Sequence, residues 1–171
     1  MQGPTHLFAG ILIQKSLQKI RPRILRYFLI VSLAIFVHVI FDNLSRVTYH
    51  PPEPILEDWF WVCDHLIMYG LALYILIKYW SRYWLGMLFS VLPDLDWFIK
   101  HAAKIFSFSN PVLEQGILHK NLRAAIDPTL PLSLLRRFPD LKFERIGALI
   151  EVGLLLVLAS ALIVWEKSEH A

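Results

Sequence analysis

Long apolar runs that are almost free of charged residues restrict the folds open to this chain. Four of them lie at about residues 24–44, 59–80, 83–99 and 146–165. A helix needs about 20 mostly apolar residues to cross the hydrocarbon core of a bilayer. Hydrophobic residues make up 56% of the 171 residues, whereas a soluble domain contains about 45–50%. We therefore expect one all-α membrane domain over residues 1–171, a multi-pass transmembrane helix bundle with about four spans.

A further helix is expected before the first full span, at about residues 5–20. Its first half is apolar, but its second half carries Lys15 and Lys19, which makes it short for a crossing. We expect it to be re-entrant or interfacial, and Pro22 to end it. Residues 100–142 are polar and contain several prolines. We expect a loop subdomain of short helices there.

Charge and cysteine content exclude several classes of protein. The net charge is +3, which is too small to indicate a nucleic-acid partner. Cys63 is the single cysteine, so this sequence offers neither an internal disulfide nor a cysteine zinc cluster. It also contains no glycine-rich phosphate loop and no Gly-x-Ser-x-Gly nucleophile elbow. The partner that the composition does predict is membrane lipid.

The polar residues of the apolar runs lie toward one membrane face. Consecutive spans alternate in direction, so the loop from Lys15 to Arg26 and the turn at Arg82 fall on one side, called here the basic side. A charged side chain at mid-helix costs roughly 2.5–3.5 kcal/mol, so such residues usually face a cavity, a partner or a metal. The acidic and histidine residues fall at the opposite ends of the helices or in the loop above them: His6, His38, Asp42, Asp64, His65, Asp94, Asp96, His101, His119 and Glu151.

His38 and Asp42 form a His-x-x-x-Asp pair within the first full span. Their i,i+4 spacing places both side chains on one helix face, about 5–6 Å apart at Cβ. Two ligands at that spacing can share one divalent ion at about 2.0–2.2 Å each. A histidine–aspartate hydrogen bond that packs two helices explains the pair equally well.

Two other pairs of candidate residues lie at the ends of spans. Asp94 and Asp96 follow Pro93; Asp94 is a candidate ligand, and Asp96 is a candidate for orienting a histidine. Carboxylates that cap the next helix give the same pattern. Asp64 and His65 are neighbours whose side chains diverge by about 100° on a helix, so we expect only one of them to face the site. His65 is the better ligand, although a packed interfacial histidine is the simpler interpretation.

The remaining candidates are isolated. Glu151 lies inside the last span, where a buried carboxylate requires a partner. His6 opens the first helix, and a helix-end role explains it as well as a metal role does. His50 precedes Pro51 and is expected to be a solvated loop histidine. Arg123 belongs to a group of basic residues in the polar loop, which favours binding of lipid headgroups or phosphate.

Three short stretches resemble one known family. The Thr-His that ends at His6, the Leu-Pro-Asp-Leu-Asp that ends at Asp96 and the His-x-x-x-Asp of His38 and Asp42 are similar to motifs of the membrane-bound metal-dependent hydrolases. These bacterial and archaeal proteins are distant relatives of zinc-dependent phospholipase C. The resemblance implies a bacterial or archaeal cell membrane, and metal ligation by His6, His38, Asp42, Asp94 and Asp96. The order of the motifs differs from that of the family, because His38 precedes Asp94.

The one-sided clustering and the resemblance together predict a site that binds a divalent metal, zinc. The predicted reaction at this site is hydrolysis of a phosphoester, for example in a phospholipid. Glu151 or Asp64 is expected to act as general base. Two alternatives remain: a non-enzymatic scaffold or partner protein with an interhelical polar network, and an ion carrier, which the one-sided placement disfavours. The predicted metal ligands, in order of preference, are His38, Asp42, His65 and Asp94, followed by His6 and Asp96.

Overall fold

The computed structural model of the chain describes residues 2–51, 53–105, 117–129 and 137–169. The regular structure of these residues is entirely helical, which confirms the predicted all-α class. Short 3-10 turns lie at Ser45–Val47, Leu92–Asp94 and Asp127–Thr129. The α-helices of the described residues are α1 (Gly3–Ser16), α2 (Arg23–Leu44), α3 (Trp59–Val91), α4 (Leu95–Ile105), α5 (Ile117–Ile126) and α6 (Ile146–Ser168).

Three of the described segments are long and apolar enough to cross a membrane: Arg23–Val47, Trp59–Asp94 and Ile146–Ser168. Large apolar side chains such as Phe28, Tyr74 and Leu156 are exposed on them, as lipid-facing surfaces require. α1 has 14 residues and is therefore about 21 Å long, too short to cross alone. These features are those of a membrane protein.

The predicted second and third spans, at about residues 59–80 and 83–99, are joined within α3, which is broken at a single residue. Tyr83 has φ −129° and ψ 24°, which are not helical values. The basic turn predicted from Ser81 and Arg82 immediately precedes this break. Residues 59–82 and 84–91 are called here the first and second arms of α3.

Contacts with α1 show that the chain reverses direction between the two arms. Gln2, at the start of α1, contacts Asp64 at 3.4 Å, and Gly10 packs against Ser90. Gln14, at the other end of α1, donates to the carbonyl of Arg82 at 3.1 Å. In a straight helix Asp64 and Ser90 would lie about 39 Å apart, whereas Gln2 and Gly10 are separated by about 12 Å. The second arm therefore runs back along α1.

α1 is the central helix of the bundle, and two glycines let it approach the second arm closely. A Cβ on Gly10 would collide with the carbonyl of Gly86, and a Cβ on Gly86 with that of Gly10. Small residues at such a crossing allow backbone contact between helices in a membrane. The apolar core around this crossing contains Leu7, Phe8, Ile11, Met68, Ile75, Tyr83, Met87, Leu155 and Leu162.

The loop that follows α2 is fastened to the start of α6. The amide of His50 donates to the carbonyl of Lys142 at 2.9 Å, and the amide of Leu141 donates to the carbonyl of Arg46 at 2.6 Å. The backbone of Tyr49 lies against Gly147, where a Cβ would collide with it. These long-range backbone contacts hold His50 near the ends of α2 and α6 that lie opposite the basic side.

Candidate metal centre

Four side chains from three parts of the chain converge at the end of the bundle opposite Lys15. His6 comes from α1, His38 and Asp42 from α2, and Asp94 from the turn after α3. His38 Nε2 is 3.0 Å from Asp42 Oδ2 and 3.6 Å from Asp94 Oδ1. His6 Nε2 is 3.4 Å from Asp42 Oδ1. Asp42 thus lies in contact with both histidines.

Ser90 sets the orientation of the His38 ring. Its carbonyl oxygen lies 2.8 Å from His38 Nδ1. A carbonyl only accepts hydrogen bonds, so Nδ1 carries the proton. In the neutral ring Nε2 then holds the lone pair, directed toward Asp42 and Asp94. A backbone carbonyl on the second ring nitrogen is the usual support of a metal-binding histidine.

His6 completes the centre from α1. It is 1% exposed, and its ring stacks on that of His38 with 4.3 Å between centroids. Its Nδ1 is buried and has no hydrogen-bond partner among the residues that the structure describes. A buried ring nitrogen without a partner is costly, and binding an ion would satisfy one nitrogen of this ring.

The donor set fits a divalent ion of the zinc type. His6, His38 and Asp42 offer ligand atoms that all lie within 4.8 Å of one another, and they form the one such group found in the described part of the chain. Zinc bonds to nitrogen and oxygen of about 2.0–2.2 Å place tetrahedral ligands about 3.3–3.6 Å apart. The contacts of 3.0 and 3.4 Å to Asp42 are close to this spacing.

The predicted site residues of α3 lie outside this group. His65 Nδ1 donates to the carbonyl of Trp61 at 2.8 Å, and the two rings stack with 3.9 Å between centroids. Asp64 Oδ2 accepts a hydrogen bond from the side-chain Nε2 of Gln2 at 3.4 Å and is 3.7 Å from His65 Nδ1. These contacts resemble the packed interfacial histidine that the sequence allows as the alternative.

Glu151 holds the beginning of α1. Its Oε1 accepts hydrogen bonds from the Gln2 amide at 2.7 Å and from the Thr5 hydroxyl at 2.8 Å, and the residue is 1% exposed. The first amides of a helix lack intrahelical acceptors and carry a partial positive charge, so a carboxylate is favourable there. Glu151 therefore connects α6 to the helix turn that carries His6.

The remaining predicted residues, Asp96, His101 and His119, lie in α4 and α5, after the second arm of α3. Asp96 lies in the first turn of α4, two residues after Asp94, with its Oδ1 buried. The structure describes the backbone of α4 and α5 at His101 and His119. The side chains of these two histidines lie outside the described residues.

Sequence reasoning missed two residues near the centre. His50, expected to be solvated, is partly buried, and burial lowers its pKa well below the usual value; the charges of Asp42, His65 and His6 also act on it. No local pattern marks it, because a backbone bond to distant Lys142 places it. Ser90 acts through its carbonyl, which every residue has, so its identity gave no signal.

The chain matches no protein-family model, no curated protein and no solved structure. The resemblance to membrane-bound metal-dependent hydrolases therefore stays a prediction from three short motifs.

Proposed function

We propose that this protein is a membrane-embedded, metal-dependent hydrolase of phosphoesters. One observation carries the proposal: the ligand atoms of His6, His38 and Asp42 lie within 4.8 Å of one another at a buried position. Two imidazoles and a carboxylate form a common zinc donor set in hydrolytic enzymes. The resemblance of the sequence to metal-dependent hydrolases supports the same assignment.

Each residue of the centre has a separate role in metal binding or proton transfer. A divalent ion held by His6, His38 and Asp42 would acidify water and offset the negative charge of a phosphoryl group. Asp42 supplies the charge that favours a cation and fixes both rings, and Ser90 keeps His38 in the metal-binding tautomer. Asp94, in contact with His38, is better placed to accept a proton than Glu151, whose Oε1 is occupied by α1.

The apolar surface of the helices around the centre favours a lipid substrate. We propose four crossings, made by α2, the first arm of α3, the second arm with α4, and α6, with α1 as a re-entrant helix. Large apolar side chains are exposed on these helices. The substrate that we propose is therefore a phosphoester anchored in the membrane of a bacterial or archaeal cell.

Cysteine labelling tests this topology. Glu57 and Ser81 are exposed and lie at opposite ends of the first arm. In a Cys63→Ser background, Glu57→Cys and Ser81→Cys should react with a membrane-impermeant maleimide from opposite sides. Labelling of both from the same side would contradict the crossing of the first arm.

A scaffold is the second candidate function, and one observation favours it. Asp42 contacts both histidines directly, at 3.0 and 3.4 Å, so the network holds helices together without any ion. In that case the protein is a non-enzymatic partner in the membrane, and the polar cluster serves packing alone.

Metal analysis separates the two functions. Detergent-purified protein should contain about one zinc per chain, and His38→Ala should remove it together with turnover of a phosphodiester such as bis(p-nitrophenyl) phosphate. His65→Ala is the matched control, because His65 is also buried but lies outside the group of three. It should keep the metal. Wild-type protein without metal or turnover, after loading with zinc, would favour the scaffold.

A further inference from the structure

We propose that Arg123 of α5 is the phosphate-recognition residue of the candidate centre. It would bind one phosphoryl oxygen while the metal holds another. The inference rests on the proposed function and narrows its substrate to phosphate esters with at least two unsubstituted oxygens. Neutral esters lack the charge that such a residue recognises.

The position of α5 places Arg123 at the edge of the centre. α5 packs against α2 and against the turn Leu92–Asp94, the two elements that carry Asp42 and Asp94. Its exposed residues lie on one face, while Arg123 and Ile126 are partly buried on the other. α5 thus covers the end of the bundle where the histidines and carboxylates meet.

Two side chains hold the guanidinium of Arg123 in one orientation. Arg123 Nη2 donates to Asn43 Oδ1 at 3.1 Å, and Arg123 Nε is 3.4 Å from Asp127 Oδ2. Asn43 Nδ2 closes the triangle by donating to Asp127 Oδ1 at 3.0 Å. Asn43 is the residue after Asp42, so this triangle fixes the guanidinium beside the helix turn that supplies the carboxylate ligand.

The fixed guanidinium retains donors for a ligand. An arginine has five N–H donors, and the contacts with Asn43 and Asp127 use two of them. The other three have no partner among the described residues, and the side chain is 42% exposed. A planar fork of N–H groups matches two phosphate oxygens. These donors are therefore open to a phosphoryl oxygen at the edge of the centre.

Kinetics of charge-removing and charge-keeping variants test the inference. Arg123→Gln should raise the KM for bis(p-nitrophenyl) phosphate about tenfold or more, with zinc content unchanged. Arg123→Lys should give an intermediate KM, because it keeps the charge but loses the fork. Arg137→Gln is the control, since Arg137 is an exposed arginine of the same polar loop. A KM in Arg123→Gln and Arg123→Lys equal to that of the control would overturn the proposal. A lower melting temperature with unchanged KM would likewise show that Arg123 only fastens α5.

Binding of inorganic phosphate keeps this test separate from the test of hydrolysis. If the zinc-loaded wild type has no turnover, calorimetry with phosphate still reports the anion site. A Kd for phosphate that rises about tenfold in Arg123→Gln supports the anion site. An unchanged Kd in the variant, or no phosphate binding by the wild type, overturns the proposal. Turnover of phosphatidylglycerol in mixed micelles beside the soluble diester shows which source of phosphate the site accepts. A loss in Arg123→Gln on both substrates fits the inference; a loss on neither contradicts it.

Discussion

At the basic side of the bundle, the buried charge of Lys15 is paired with a carboxylate of opposite charge. At the opposite end, the carboxylate of Asp42 lies between two histidine rings that can bind a cation. Lys15 has a fully buried side chain, and its Nζ lies 2.6 Å from Glu169 and 5.6 Å from the centre of the Trp165 ring. Arg82, at the break in α3, is 3.8 Å from the same carboxylate. Opposite charges meet here directly, so this end fastens α1, α3 and α6 together.

The other end is built from groups that bind cations when neutral or negative. His6 and His38 direct ring nitrogens toward Asp42, and a backbone carbonyl fixes the proton of His38 on the far nitrogen. α6 holds α1 at both ends, through Glu151 and Glu169, and among the described residues the group of three metal-binding side chains lies at the end near Glu151. Stability and chemistry should therefore respond to mutation at different ends.

The largest expected effect is on metal binding, from Asp42→Asn. Asn keeps the shape and can still hydrogen-bond, but it lacks the charge that offsets a divalent ion. Loss of a residue that merely supports a ligand costs about 10–100-fold in metal affinity, and a direct ligand should cost at least as much. Thermal unfolding should change little, because polar contacts between membrane helices average about 0.6 kcal/mol.

The control for Asp42→Asn is Asp140→Asn, the same chemical change at a carboxylate whose side chain is 56% exposed. Zinc content and phosphodiester turnover are measured in matched detergent samples. If Asp42→Asn retains the zinc of the control, the difference drawn between the two ends is wrong and the polar cluster is a packing network.

The next largest effect is expected midway between the ends, from Gly10→Ala. The added Cβ would meet the carbonyl of Gly86, which cannot move without its helix. Overpacking costs typically 1–3 kcal/mol, and we expect about 3 kcal/mol here because backbone must yield. The shift should also displace His6, one turn away, and reduce zinc content.

Gly153→Ala provides the matched comparison, because a Cβ there meets no atom within 4 Å. It should leave zinc content unchanged and stabilise α6 by about 0.5–1 kcal/mol. Equal melting temperatures of the two variants would show that α1 and the second arm do not cross at Gly10.

Hydropathy and helix period were enough to predict the parts of the fold that depend on local sequence. The runs predicted at 24–44 and 146–165 differ by at most a few residues from α2 and α6. The approach of His38 to Asp42 follows from i,i+4 spacing alone. Each of these properties is fixed within a single helix.

The sequence could not predict how each helix is rotated toward its neighbours. Asp64 and His65 differ by about 100° around α3, and the packing of α1 and α3 leaves both outside the group of His6, His38 and Asp42. The same packing brings Ser90 to His38 and Gln2 to Asp64. The close crossing at Gly10 also pairs residues distant in sequence, because its partner is Gly86.

A smaller effect is expected at the basic side, from Glu169→Gln. The variant leaves the buried ammonium of Lys15 without a charged partner close by, but Glu169 is 37% exposed, so solvent weakens the pair. We expect a loss of about 1–2 kcal/mol in unfolding free energy, with zinc content and turnover retained. Loss of zinc in this variant, at a temperature where it remains folded, would show that the two ends are coupled through α1.

The smallest effect is expected from Thr5→Val, which separates the anchoring role of Glu151 from the predicted role as general base. Valine keeps the shape of threonine but removes one of the two hydrogen bonds to Glu151 Oε1, and the Gln2 amide bond of 2.7 Å remains. The expected loss is about 0.6–1 kcal/mol. If Glu151 only anchors α1, turnover should stay unchanged while the melting temperature falls slightly. If Glu151 takes the proton from water, the loss of a hydrogen bond to its carboxylate should change turnover. Changed turnover at an unchanged melting temperature would assign Glu151 to catalysis and overturn its anchoring role.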